Sequence, residues 1–217
     1  MGNRAVITDK KGKVGLYLHW NGGRDSVEGF LEYCKRKGCR GFGSDSEYAL
    51  SRLDQVAGNY IGGTLSVGIT TYCKNGEDNG VYVVEGWDII GRYTYKYNYE
   101  TKKYRKVKFP VSREQYEYSL PYMLESIDAK QPEEERLGNL LKARLLPVSD
   151  VCIGDTIYVL GCRDRMEGYE VLGFGEDMVV NGTNVKGLPY FNCCCGGSRN
   201  NPNNYLTYQK EVYVYRG

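Results

Sequence analysis

Hydrophobic and polar positions along this chain follow two periods, and they switch at recognisable punctuation. Arg4–Thr8 and Val14–Trp20 are apolar runs of strand length around the polar turn Asp9–Lys13, where Gly12 supplies a permissive dihedral, so they predict a β-hairpin. From Asp25 to Arg36 the period becomes helical: Val27, Phe30, Leu31 and Cys34 share one face, and Gly38 marks a stop. Asp45–Tyr60 predicts a second helix, with Ala49, Leu50, Leu53, Val56, Ala57 and Tyr60 on one face and Gly62-Gly63 ending it. Thr64–Tyr72 and Gly80–Val84 read as strands flanking the polar turn Lys74–Asn79, and a further strand begins near Trp87.

Between Arg92 and Phe109 the sequence RYTYKYNYETKKYRKVKF alternates aromatic and polar residues in two runs around Asn98–Lys103, which predicts a second hairpin. Gln115–Asp128 reads as a helix despite Pro121, and a charged stretch, Pro132–Arg144, follows. Composition then shifts to short β-like runs with glycine punctuation: Thr156–Cys162, Tyr169–Phe174, Asp177–Val180 and Val212–Tyr215. VCIGDTIYV at Val151–Val159 has the pattern of a small barrel's first strand after a diverging turn. The expected fold class is α+β: an N-terminal domain over 1–130 with a mixed sheet and two or three helices, a linker over 131–148, and a small SH3-like β-barrel over 149–217. No internal repeat of 20–50 residues is visible.

At 217 residues and 41% hydrophobic content the chain can bury a substantial core, which excludes wholesale disorder. Tyrosine is over-used, 21 residues against 5 Phe and 2 Trp, which suits both half-buried strands and binding surfaces. The start MGNRAVITDKKGK turns charged at once and so predicts no secretory segment; Val6 stands where a myristoylation signal needs Ser or Thr. With no apolar stretch long enough to span a bilayer, the expected setting is the cytoplasm, with reduced thiols and no membrane partner.

The segment YLHWNGGRDSVEG at Tyr17–Gly29 carries the first candidate chemistry. Asp25 and Glu28 form a capping-box-like pair at a helix start, and both charges suit the positive end of the helix dipole. A phosphate contact through Gly22, Gly23 and Arg24 is the rival reading, although neither GxGxxG nor GxxxxGK[ST] is present and Asp25 opposes an anion there. His19 is the only histidine, so two-histidine acid–base chemistry and an HExxH zinc site are both excluded. Any general acid–base role needs His19 paired with a carboxylate such as Asp25 or Glu28, with a Tyr, or with a Lys; a satisfied strand histidine is the plainer alternative.

The hairpin carries the second. Arg92, Lys96, Lys102, Lys103, Arg105, Lys106 and Lys108 face only Glu100, and Tyr93, Tyr95, Tyr97, Tyr99 and Tyr104 are interleaved with them. Residues two apart share a strand face, so one face is aromatic while Arg92, Lys96 and Asn98 point the other way. Cations beside rings suit single-stranded nucleic acid, because phosphates meet Lys and Arg while bases stack. The alternative is an amphipathic hairpin whose tyrosines pack inward and whose lysines protect an edge. No RNP, KH or zinc-knuckle signature accompanies it. Cys193-Cys194-Cys195, with Cys152 and Cys162, lacks the paired CxxC spacing of a zinc site, so no metal or other cofactor is expected. A Cys–His nucleophile joining that loop to His19 would require two domains to meet.

GNRAVIT at Gly2–Thr8, YLHWNGGRDSV at Tyr17–Val27, GGTLSVG at Gly62–Gly68 and DNGVY at Asp78–Tyr82 together resemble the N-terminal 90 or so residues of uncharacterised proteins carried by phages and plasmids of Gram-positive bacteria. Some proteins of this type look like anti-CRISPR inhibitors of Cas9 systems. The resemblance implies a mobile-element counter-defence protein acting on a Cas effector ribonucleoprotein or its guide RNA. It carries no catalytic residues with it and does not extend to the C-terminal domain. Two other readings stand beside it: a metal-independent RNase acting on guide RNA through His19, and a structural module in which Tyr-rich strands form a homo-oligomer interface.

Overall fold

A computed structural model describes residues 3–43, 46–64, 66–73, 78–160, 165–174 and 210–217, and the backbone of 179–180, 183–184 and 189–190. The chain is α+β and divides into two compact units, Met1–Lys35 with Cys39–Arg136, and Arg36–Gly38 with Leu137–Gly217.

The first unit is built on a six-stranded mixed sheet of order β3-β2-β1-β4-β5-β6. Its first two strands are β1 (Ala5–Thr8) and β2 (Gly15–Leu18), the antiparallel hairpin that the apolar runs predict. Asp9 forms its turn by accepting from the amides of Lys11 and Gly12. The helices α1 (Arg24–Arg36) and α2 (Ser46–Ile61) follow, then β3 (Val67–Thr70), β4 (Val81–Glu85), β5 (Asp88–Asn98) and β6 (Lys103–Lys108). The α1–α2–β3 excursion lets β4 return beside β1 in parallel, and β1 is accordingly buried throughout. β3 and β4, consecutive in the chain, do not pair with each other: β3 lies on the outer side of β2, while β4 sits between β1 and β5.

Alternation divides the sheet into two faces. Ala5, Ile7, Leu16, Leu18, Tyr82 and Val84 form a sealed face, each at most 1% exposed. The helical rows read from periodicity are buried as well: Val27, Phe30, Leu31 and Cys34 in α1, and Ala49, Leu50, Leu53, Val56 and Ala57 in α2. α2 packs on β2, β3 and the third helix, α3 (Leu120–Asp128). Gly29 lets α1 approach α3 closely, since a Cβ there would lie 2.9 Å from that of Met123. On the opposite face Val6, Val81 and Cys73 cluster beneath half-buried Tyr17 and Tyr93.

The third helix begins later than periodicity suggests. Residues 115–119 are not helical, because their backbone groups are taken by α1: Arg24 N–H donates to the Gln115 carbonyl, and Asp25 accepts from the amides of Glu117 and Tyr118. Pro121 then falls in the first turn of α3, where its missing N–H has no helical partner to lose.

The second unit holds a four-stranded antiparallel sheet of order β7-β14-β8-β9, built from β7 (Arg144–Pro147), β8 (Thr156–Leu160), β9 (Met166–Glu170) and β14 (Glu211–Tyr215). Residues 131–148, expected to be linker, contain 3-10 turns at Glu133–Glu135 and Gly138–Lys142 as well as β7. Val148, Val151, Ile157, Val159, Val171, Val212 and Val214 form the core. Within VCIGDTIYV, Val151–Asp155 forms the turn, with Gly154 at φ +87° and Asp155 accepting from the Cys152 amide, and the strand β8 begins at Thr156. Two-residue ladders pair β10 (Gly173–Phe174) with β13 (Pro189–Tyr190), and β11 (Val179–Val180) with β12 (Thr183–Asn184). Among the described residues this unit does not close into a barrel.

Candidate nucleic-acid interface

Register makes the basic hairpin a projecting ribbon. β4 pairs with β5 only from Asp88 to Tyr93, so beyond Tyr93 the strand β5 has β6 alone as partner. At the tip the Asn98 side chain accepts from the amides of Glu100 and Thr101 at 2.9 and 3.0 Å, and Lys102 adopts φ +52°. These two features close the four-residue loop between the paired residues Asn98 and Lys103.

Cross-strand pairs share a face, so the ladder assigns the side chains. Tyr93, Tyr95 and Tyr97 lie with Lys108, Lys106 and Tyr104 on one face, while Lys96 and Asn98 lie with Arg105 and Lys103 on the other. Tyr97 touches Tyr99 at 5.1 Å and Tyr104 at 5.0 Å between ring centroids, and these rings are 40%, 84% and 70% exposed. Lys96, Lys102, Lys103, Arg105, Lys106 and Lys108 are all exposed, and among the described residues no carboxylate pairs with any of them. Chemically the tip is a cluster of open rings ringed by uncompensated cations.

Three members of the predicted set sit differently. Arg92 turns inward: its guanidinium lies 3.7 Å from the Phe109 ring centroid and 4.3 Å from that of Tyr82, and donates to the Asn79 carbonyl, the Asn79 side chain and Glu114. Tyr93 is half-buried, donates to the Cys73 carbonyl at 3.0 Å, and carries the Lys106 ammonium 3.6 Å above its ring. Burial pushes its phenol up to about 12. Tyr95 is half-buried edge-on against Tyr93. The open surface is therefore the distal half of the hairpin.

The Tyr17–Gly29 stretch is a staple between elements. Asn21 takes φ +56°, and Gly22 approaches β1 so closely that a Cβ would lie 2.7 Å from the Asn3 carbonyl oxygen. The amides of Gly22 and Arg24 donate to the carbonyls of Asn3 and Gln115, and the Gly22 carbonyl accepts from Tyr82. Gly23 accepts from the Val27 amide in the first turn of α1. The Arg24 guanidinium is shared between Glu28 at 2.7 Å and Glu114 at 3.1 Å. Glu28 thus reaches the Arg24 side chain rather than a backbone amide. Asp25, 5% exposed, accepts from the Ser26 amide as well as from Glu117 and Tyr118. His19 is half-buried, with Nδ1 3.0 Å from the Tyr17 hydroxyl and its ring against Trp20. No hydrogen bond or ion pair joins His19 to Asp25 or Glu28.

Cys34 and Cys73 are buried, Cys39 is half-buried and Cys152 is exposed. Cys162 and Cys193-Cys194-Cys195 lie outside the described residues. Among the described residues no cluster of metal-ligating side chains occurs, and no helix is long and apolar enough to cross a membrane. A second aromatic surface escaped the sequence reading: Tyr116, Tyr118 and Tyr122 are 54%, 46% and 52% exposed. Its signal is YEYSLPY, whose alternation is submerged in the helical period assigned there. Compared with protein-family models, with curated proteins and with solved structures, the chain matches none.

Proposed function

We propose that the protein binds RNA, free or within a ribonucleoprotein, through the distal half of the β5–β6 hairpin. The observation that carries this reading is the coincidence of exposed Tyr97, Tyr99 and Tyr104 with the exposed cations of the same half, Lys96, Lys102, Lys103 and Arg105, which no carboxylate among the described residues neutralises. Phosphates are attracted by the cations and release counterions, while unpaired bases stack on rings of any orientation that is open to solvent. The resemblance of the N-terminal segments to phage- and plasmid-borne proteins supplies a setting: counter-defence in the host cytoplasm, with a Cas effector or its guide RNA as the target.

The test is fluorescence anisotropy with labelled guide RNA across a salt series. Wild type binds with a steep salt dependence. Reversing Lys102, Lys103, Arg105 and Lys106 to Glu abolishes binding at physiological salt and lowers the slope by about 3. Tyr97→Ala and Tyr104→Ala each weaken binding by about tenfold at unchanged slope. Binding of the reversed variant at wild-type affinity removes the hairpin from the account. A denaturing gel of the same mixture reads out the RNase alternative, which requires cleavage that His19→Ala eliminates. For the second unit the finer architecture inferred is an SH3-like barrel; an experimental structure in which β7-β14-β8-β9 stays an open sheet would remove it.

A further inference from the structure

A second surface runs from Val111 into α3, and its part from Tyr116 onward carries exposed charge opposite to the hairpin's, from Glu117 and Glu125. Val111, Tyr116, Tyr118 and Tyr122 are 74%, 54%, 46% and 52% exposed, and the rings of Tyr118 and Tyr122 stack at 5.0 Å with 19° between their planes. The segment is held from beneath. Asp25 accepts from the amides of Glu117 and Tyr118 at 2.9 and 3.0 Å, Arg24 N–H donates to Gln115, and Glu114 pairs with both Arg24 and Arg92. Aromatic side chains presented to water on a backbone fixed by buried polar contacts have little freedom left to lose on binding. From Val111 to Asp128 the chain has one cation, Arg113, and four carboxylates; Glu114 is paired with Arg24 and Arg92 and Asp128 accepts from the Tyr33 hydroxyl, which leaves Glu117 and Glu125 as the exposed acidic pair beside the stacked rings. Its partner must therefore bring cations and flat apolar surface together. One such surface already described is the hairpin tip of the same chain.

We propose that this acidic tyrosine segment is the docking site for the basic hairpin tip of a second copy. Ammonium and guanidinium groups from Lys102, Lys103 and Arg105 meet Glu117, Glu125 and the faces of Tyr118 and Tyr122, using the kind of cation–ring contact that Lys106 makes to Tyr93 within one copy. Two different patches meet, so the contact is heterologous and runs head to tail. A hairpin tip occupied by a second copy is closed to a polyanion, which makes self-association and RNA binding mutually exclusive.

Sedimentation velocity of the full chain tests this. At low salt the wild-type sedimentation coefficient rises with protein concentration, and at high salt it does not. Glu117→Lys with Glu125→Lys weakens self-association by about tenfold or more, as does reversal of Lys102, Lys103 and Arg105 to Glu, while each variant melts as wild type. Mixing the two variants restores a dimer, because one contributes an intact hairpin and the other an intact acidic segment. A wild type that stays monomeric at every concentration, a double variant that associates as wild type does, or folded variants whose mixture stays monomeric would overturn the proposal. Binding of oligo-arginine by a strictly monomeric wild type would also overturn it, leaving the patch to a basic partner. Dissociation by added single-stranded RNA tests the exclusivity alone, so failure of RNA binding and failure of self-docking are read separately.

Discussion

Arg92 carries its charge inside the first unit. Its side chain is 9% exposed, between the rings of Tyr82 and Phe109, with three acceptors on Asn79 and Glu114. Burial pulls its pKa down, while Glu114 and the Tyr82 environment oppose that pull. Arg92→Ala removes the cation and orphans a buried carbonyl, so we expect a loss of about 3 kcal/mol by urea denaturation. Arg92→Lys recovers only part of it, because an ammonium cannot reproduce the planar fork. RNA affinity of the folded fraction stays at the wild-type value in both, since the residue does not reach the open surface. Gly22 is a second position where identity follows from packing: the room taken by a Cβ is filled by the Asn3 carbonyl and by Ala5.

At the scale of elements, the hairpin serves two masters along its length. Near Tyr93 it is a sheet strand, tied to Cys73 and covered by Lys106. Past that point it is a two-stranded ribbon, a form that is marginal alone, sustained by the Tyr97–Tyr104 pair and by the Asn98 turn. Replacing Tyr99–Lys102 with a two-residue Asn-Gly turn should therefore change stability by less than about 1 kcal/mol, as read by thermal melting. The same variant should bind RNA more weakly, through loss of Tyr99 and Lys102. A large fall in melting temperature would mean that the tip is part of the core.

For the whole molecule, groups in the two units make stability respond to both ends of the pH scale. In the first, burial raises the phenols of Tyr33, Tyr82 and Tyr93, the last to about 12. Unfolded tyrosines ionise near 10, so between about 10 and about 12 the unfolded chain holds fewer protons and stability falls as pH rises. Tyr93→Phe removes its share of that slope in melts recorded across this window. In the second unit Arg216 holds the Asp155 carboxyl below its ordinary 3.8. The resulting stability is fully present above about pH 4 and is lost as the pH falls further, so Asp155→Asn flattens the acid limb. Unchanged slopes in these variants would detach the two limbs from these groups.

Periodicity alone determined the first hairpin, both long helices with their buried rows, and the alternating Tyr–Lys ribbon, because each of these is a local pattern of burial along one element. The tertiary structure decided everything that depends on contacts distant in sequence. The β1–β4 parallel pairing separates β3 and β4, strands consecutive in the sequence. Asp25 draws residues 117–118 out of the helix that their spacing suggests, and in doing so creates the exposed tyrosine surface. Arg92 leaves the cationic set for an aromatic pocket that only the folded sheet assembles. Local alternation sets which way a side chain points; what it meets there is set by chain returning from tens of residues away.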